Sequence, residues 1–147
     1  MPRSVAPGGD ISCKITKSAS QSIPNATLTA ITWNQESYDT DGMHDTVTNN
    51  TRVTFNTTGK YSVLAQAEWE IAGGVFRFLE IMKNGSGGIA RVRYGAEGAS
   101  ENIVPYVGEF QVGDYIELCV YQDAGGNIDF ESGTGVMNTY LEVRKIN

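Results

Sequence analysis

The stretch from Lys60 to Ile71, KYSVLAQAEWEI, alternates between apolar and polar residues. Successive strand residues point to opposite faces of a sheet. Tyr61, Val63, Ala65, Ala67, Trp69 and Ile71 therefore share one face, which reads as core. Ser62, Leu64, Gln66, Glu68 and Glu70 share the other, which is polar except at Leu64. DYIELCVYQ repeats the pattern: Ile116, Leu118 and Val120 face inward, while Tyr115, Glu117, Cys119 and Tyr121 face outward. No segment sustains a helical period. From residue 11 onward, Val, Ile, Thr and Tyr are punctuated by Gly and Asn, which predicts short strands in a sandwich or barrel. Strands are expected near 11–18, 27–34, 51–56, 60–72, 75–83, 88–95, 102–110, 114–122 and 136–146. KNGSGG (Lys83–Gly88) carries an Asn-Gly hairpin signal, and DAGGN (Asp123–Asn127) is a further turn. Trp33, in LTAITW, and Trp69 read as core aromatics.

One strand departs from this pattern. In NIVPYVGEF, Val104, Tyr106 and Phe110 make one face, and Ile103, Pro105 and Val107 the other. Both faces are apolar, although a strand with one solvated face needs only one. TYLEVRKI partly repeats the feature, with Leu141 and Val143 facing inward and Tyr140 and Ile146 opposite. An acidic protein does not leave such a surface uncovered. Leu64, Gln66, Ile103, Pro105, Val107 and Tyr140 are therefore the expected interface.

Composition narrows the function. The chain has 147 residues, which suits one domain large enough to need no staples, and its net charge is -6. No run of four basic residues exists, so nucleic acid is not an expected partner. The longest apolar runs are far short of a membrane span. MPRSVAPGGD, residues 1–10, lacks an apolar core and reads as a flexible arm, not a secretory signal. Residues 11–147 form the folded domain. The two cysteines, Cys13 and Cys119, are expected to be reduced, half-buried thiols. The four Asn-x-Ser/Thr sequons are expected to be unused.

No catalytic constellation can be assembled. Nucleophilic catalysis needs a base beside the nucleophile, and the chain has one histidine, His44. GSGG (Gly85–Gly88) is a turn, and Gly59-Lys60 precedes a strand and not the helix of a phosphate loop. YDTDGMHDTV (Tyr38–Val47) gathers His44 and three aspartates. Counted from Asp39, a calcium loop would need glycine where His44 stands and glutamate where Asn50 stands. Zinc would lack good ligands. The segment reads as a turn or short edge strand, with Tyr38 and Met43 covering the core and the aspartates in water. Asp39 and Asp41 are at most candidates for a loosely held surface cation. Tyr115 and Tyr121, on an outward face, are candidates to face a ligand. No cofactor and no enzymatic activity are expected.

Five phrases carry a family resemblance. Gly59-Lys60-Tyr61 opening a long strand resembles the G-x-Y of the complement component one-q globular head and tumour necrosis factor superfamily. IMKNG (Ile81–Gly85), VGDYIELCVYQDAGG (Val112–Gly126), TYLEVRKI (Thr139–Ile146) and QSIPNATLTAITWNQESYDTDGMHD (Gln21–Asp45) resemble bacterial and phage members. Together they span about residues 12–146, in the family's order. The resemblance implies an all-β, two-sheet jelly-roll sandwich of about ten strands that forms a three-fold homotrimer. It also implies that segments 60–72, 102–110 and 136–146 lie in the sheet facing the axis. The chain shows neither a collagen stalk nor a secretion signal. The expected function is thus a structural protein of a phage particle: head decoration, head fibre or tail-associated adhesion. It would be made in the host cytoplasm, reside in the virion and contact a capsid or tail protein. The alternative is a carbohydrate- or receptor-binding module of a bacterial or phage surface protein, contacting a cell-surface glycan.

Overall fold

The computed structural model describes residues 9–96, 101–134 and 137–147. Its strands are, in chain order, β1 (Ser12–Thr16), β2 (Gln21–Ile23), β3 (Thr29–Ala30), β4 (Gln35–Asp39), β5 (Arg52–Thr54), β6 (Gly59–Glu68) and β7 (Phe76–Lys83). There follow β8 (Gly87–Gly95), β9 (Glu101–Phe110), β10 (Tyr115–Gln122), β11 (Ile128–Phe130), β12 (Gly133–Thr134), β13 (Met137–Asn138) and β14 (Tyr140–Lys145). The alternating segments pair into two five-stranded antiparallel sheets. The first, called the inner sheet below, runs β4-β1-β14-β6-β9. The second, the outer sheet, runs β3-β10-β7-β8 with β5 also on β10. The short pairs β2–β11 and β12–β13 complete the jelly roll. Segments 60–72, 102–110 and 136–146 do lie side by side, as β14-β6-β9.

The core fills with the residues that alternation marks as inward. Tyr61, Val63, Ala65 and Ala67 of β6 meet Leu79, Ile81, Ile116, Leu118 and Val120 of the outer sheet in one buried cluster. Phe55 stacks on Phe110 at 3.9 Å between centroids, and Tyr61 meets Phe55 edge-on at 4.7 Å. The buried Tyr61 hydroxyl donates to the Thr57 carbonyl at 2.6 Å, so the ring packs without an orphaned polar atom. Trp33 is buried, and Trp69 packs edge-on to Phe130 at 5.3 Å.

Two segments depart from the expected strands. The strand expected at 27–34 shortens to Thr29–Ala30. Beyond it the backbone is satisfied elsewhere: Ile31 N–H donates to Leu118, Trp33 N–H to Asn50, and Thr32 N–H to the Gln21 side chain. Once those groups are paired, no ladder is needed. β6 ends at Glu68, and Trp69 and Glu70 turn aside to bond the β11 region. Ile71, expected in the core, is 85% exposed on the loop that follows. Arg77 holds this loop. Its guanidinium is buried and donates to the carbonyls of Glu70 at 3.2 Å and Ala72 at 2.9 Å.

Both cysteines are free and buried, not half-buried. Burial first, then Asp39 and Glu36, pushes the Cys13 thiol well above its usual range. Burial first, then Glu117 and Glu80, pushes Cys119 up to about 12. The expected arm at 1–10 lies, through residue 8, outside the described residues. Asp10 is tied to the domain: its carbonyl accepts from Thr40 at 2.7 Å, and its carboxylate faces Arg144 at 3.6 Å.

The Asn-Gly signal produces the expected hairpin. Asn84 and Gly85, the central residues of the turn closed by Ser86 N–H donating to the Lys83 carbonyl at 3.2 Å, both adopt positive φ, 53° and 69°, which the twist of the flanking strands favours. Asp114 binds this turn, accepting from Asn84 at 3.0 Å, from Gln111 N–H at 2.9 Å and from Lys83 at 3.0 Å. These bonds, that of Asn84 foremost, lower its pKa to about 2. A carboxylate whose folded pKa lies below its unfolded value stabilises the fold above the unfolded pKa. That stability is lost as pH falls through the folded one. The melting temperature of the parent chain is thus expected to fall more steeply from pH 4 to pH 2 than that of Asp114→Asn. Equal slopes in a thermal-melt series would refute this role.

Candidate functional site

The six expected interface residues are neighbours on the side of the inner sheet away from the core. Register sets Ile103 opposite Gln66 and Gln66 opposite Tyr140. Pro105 lies opposite Leu64, which lies opposite Glu142, and Val107 opposite Ser62, which lies opposite Arg144. Ile103 is 50% and Val107 59% exposed, while Leu64 and Tyr140 are half-buried. β9 pairs with β6 and ends its sheet, a place where proline is tolerated. Across the face the character changes. Lys14 Nζ stands 4.2 Å over the Tyr140 ring, and the Tyr38 hydroxyl donates to Glu142 at 2.8 Å. Tyr38 is therefore a half-buried member of this face and not a cover for the core; Met43 is buried as expected.

Asp39 closes β4 and organises the turn behind it. Its Oδ1 accepts from the N–H of Met43 at 2.9 Å, and its Oδ2 from the N–H of His44 at 2.9 Å. Asp41 accepts from the Thr57 hydroxyl at 3.0 Å. Asp39 and Asp41 are both half-buried, so neither is the wet carboxylate expected. The His44 side chain has no exposed area. Nδ1 lies 3.0 Å from Glu36 and Nε2 lies 3.1 Å from the Asn50 carbonyl. Both ring nitrogens are engaged within the fold, and Glu36 and the Asn50 carbonyl hold the ring in place. The open hollow of about 340 Å³ next to it is lined by Met43, Asp45, Arg52 and Asn56, among others. Among the described residues no group of three or more His, Cys, Asp or Glu could hold a metal ion. Calorimetric titration with calcium or zinc is expected to show nothing tighter than about millimolar. Asp39→Ala should instead lower stability by about 1–3 kcal/mol, because two backbone donors lose their acceptor. Micromolar binding abolished by that substitution would overturn the assignment.

The outward face of the outer sheet carries Tyr115 and Tyr121, the two tyrosines expected to face a ligand. Each ring has a neighbour against it. Arg52 Cζ lies 4.1 Å over Tyr115, and Tyr121 stacks on Phe78 at 4.9 Å and on Phe76 at 5.4 Å. Sequence reading passed over Phe76, Phe78, Arg91 and Arg93. Alternation within FRFLEI and ARVRY puts all four on one outward face, and that signal was available.

No protein-family model matches the chain, and no curated protein matches it. Its fold matches solved structures. Murine APRIL, crystallised at pH 8.5, superposes with a TM-score of 0.68 at 14% identity, over 93% of this chain and 99% of that one. Eiger TNF from S. frugiperda superposes with a TM-score of 0.62 at 11% identity, over 94% of this chain and 93% of that one. The fold is thus an all-β jelly roll of the tumour necrosis factor and complement one-q type. The matches also overturn an expectation. They are animal proteins, so the phage-particle function, the capsid or tail partner and the virion location do not stand. The alternative, a carbohydrate- or receptor-binding module of a bacterial or phage surface protein with its glycan partner, falls with them. The expectation rested largely on short phrases that resemble bacterial and phage members, and phrases common to one fold do not fix a source or a partner.

Proposed function

We propose that the chain is a non-enzymatic, receptor-binding homotrimer of the tumour necrosis factor type, assembled through the outer face of β6, β9 and β14. The observation that carries this reading is the row Ile103, Pro105 and Val107. All three are exposed on the terminal strand of the inner sheet, next to Leu64 and Gln66. A solvated sheet face would alternate polar residues there. An obligate interface that covers it should resemble a core cut in half and bury more than about 2,000 Å² in total. The polar side of the same sheet, with Lys14, Glu142 and Arg144, supplies the charged rim that such interfaces have. Multi-angle light scattering at micromolar concentration should return three times the 15.9 kDa of one chain. A monomeric mass would sink the reading.

A further inference from the structure

We propose that the outward face of the outer sheet, at Arg93, is a docking site for an acidic, extended segment of a partner protein. This face lies on the opposite side of the sandwich from the proposed trimer interface and does not depend on it. Phe76, Phe78 and Tyr121 form a ladder of near-parallel rings there, with interplanar angles of 3° to 13°. Two arginines of β8 lie on that ladder. Arg91 Cζ stands 4.3 Å over Phe78, and Arg93 Cζ stands 3.8 Å over Phe76. A guanidinium seated over a ring face keeps N–H donors at its rim for a carboxylate, and packing against the ring leaves less order to be imposed when one arrives.

The two forks differ in one respect. Register places Glu80 opposite Arg91, and its carboxylate meets Arg91 Nη2 at 2.9 Å. Register places Phe78 opposite Arg93, so the sheet offers that fork no carboxylate. Among the described residues Arg93 has no ion-pair partner. The Arg91–Glu80 pair shows which ligand this geometry accepts, and Arg93 presents the same geometry unfilled. An exposed arginine on an aromatic ladder is also the composition of interface hot spots.

Two features favour a peptide over an acidic glycan. β8 pairs with β7 and ends its sheet, so its other side offers backbone donors and acceptors to an extended chain. Arg93 sits over one face of Phe76 and Arg91 over one face of Phe78, and Tyr121 stacks on both rings, so a sugar would have to displace an arginine to stack on those faces. On a chain of net charge -6, a local cationic corner also directs an acidic segment to one place.

The test is fluorescence anisotropy with a labelled peptide of alternating Glu and Thr, titrated with the intact protein at low and physiological salt. Binding is expected to weaken with salt. Arg93→Gln should weaken it by about tenfold or more, as a hot-spot arginine does. Arg93→Lys keeps the charge but loses the planar fork, and should recover only a small part. Arg52→Gln removes an arginine on the same sheet but off the ladder, and should change affinity less than about twofold, the behaviour of a charge outside the hot spot. Thermal melts of the three variants confirm that each is folded, and amide shift changes on the parent should map to β8. Four results would overturn the proposal: no peptide binding, equal losses from Arg52→Gln and Arg93→Gln, full recovery by lysine, or Arg93-dependent binding of a heparin hexasaccharide with none of the peptide.

Discussion

Aspartate at Ile103 is expected to convert the proposed trimer into monomers. The side chain points away from the core, so the substitution leaves the sandwich interior untouched. In the assembled trimer, however, three carboxylates would be buried near one axis without partners. An uncompensated buried charge costs several kcal/mol. Even about 4 kcal/mol across the assembly raises the dissociation constant roughly a thousandfold. Light scattering should then give the mass of a single chain, while circular dichroism keeps its β-sheet signal. Ile103→Val should remain trimeric. Val112→Asp, at an exposed valine in the loop after β9, should remain trimeric as well. A trimer that survives Ile103→Asp would place the interface elsewhere.

Arg77→Met is the second large expected effect, and it acts on folding. Methionine matches the length of the arginine stem and removes the cost of burying a cation. Replacing a buried ion pair by apolar residues is often neutral or stabilising. Here the partners are backbone carbonyls, those of Glu70 and Ala72, and they stay behind without a donor. Trp69 loses the guanidinium that stands 5.2 Å from its ring. Together these losses should cost about 3 kcal/mol, the range for a broken buried hydrogen-bond network. That corresponds to a fall in melting temperature of roughly 10 °C for a chain of this size. The loop from Glu70 to Val75 should become the first site of proteolysis. An unchanged or higher melting temperature would show that desolvation of the charge outweighs its two bonds.

Legibility along the chain follows how local the deciding interaction is. The hairpin at Asn84-Gly85 was legible because two adjacent residues suffice to set it. Faces of β6, β9 and β10 were legible because a period of two has two outcomes. Asp39 was read as a turn former, and its side chain does bond the backbone a few residues on. The roles of Ile71, Glu36 and Arg77 were not legible. Ile71 depends on β11, distant in sequence, which turns the chain aside after Glu68, whereas Glu36 and Arg77 meet partners only five to eight residues away, across turns whose path no local residue type announces. The Arg93 fork was half legible. Alternation puts it on the outward face, but register alone shows that its neighbour is Phe78 and not Glu80.

By itself the sequence determined the class of fold, the inward and outward sets of each long strand, and the surplus apolar face at Ile103, Pro105 and Val107. These follow from side-chain period and hydrophobicity, which are properties of single segments. Tertiary structure alone decided which segments became neighbours. That choice placed the six expected interface residues side by side, closed both nitrogens of His44, set Arg52 over Tyr115, and filled one arginine fork while leaving the next open. Pairing register is a relation between two strands, and one strand's residues do not contain it. The solved structures named above share the fold at 11–16% identity. The proposed contacts use exposed side chains such as Arg93 and Ile103, and the fold constrains those least.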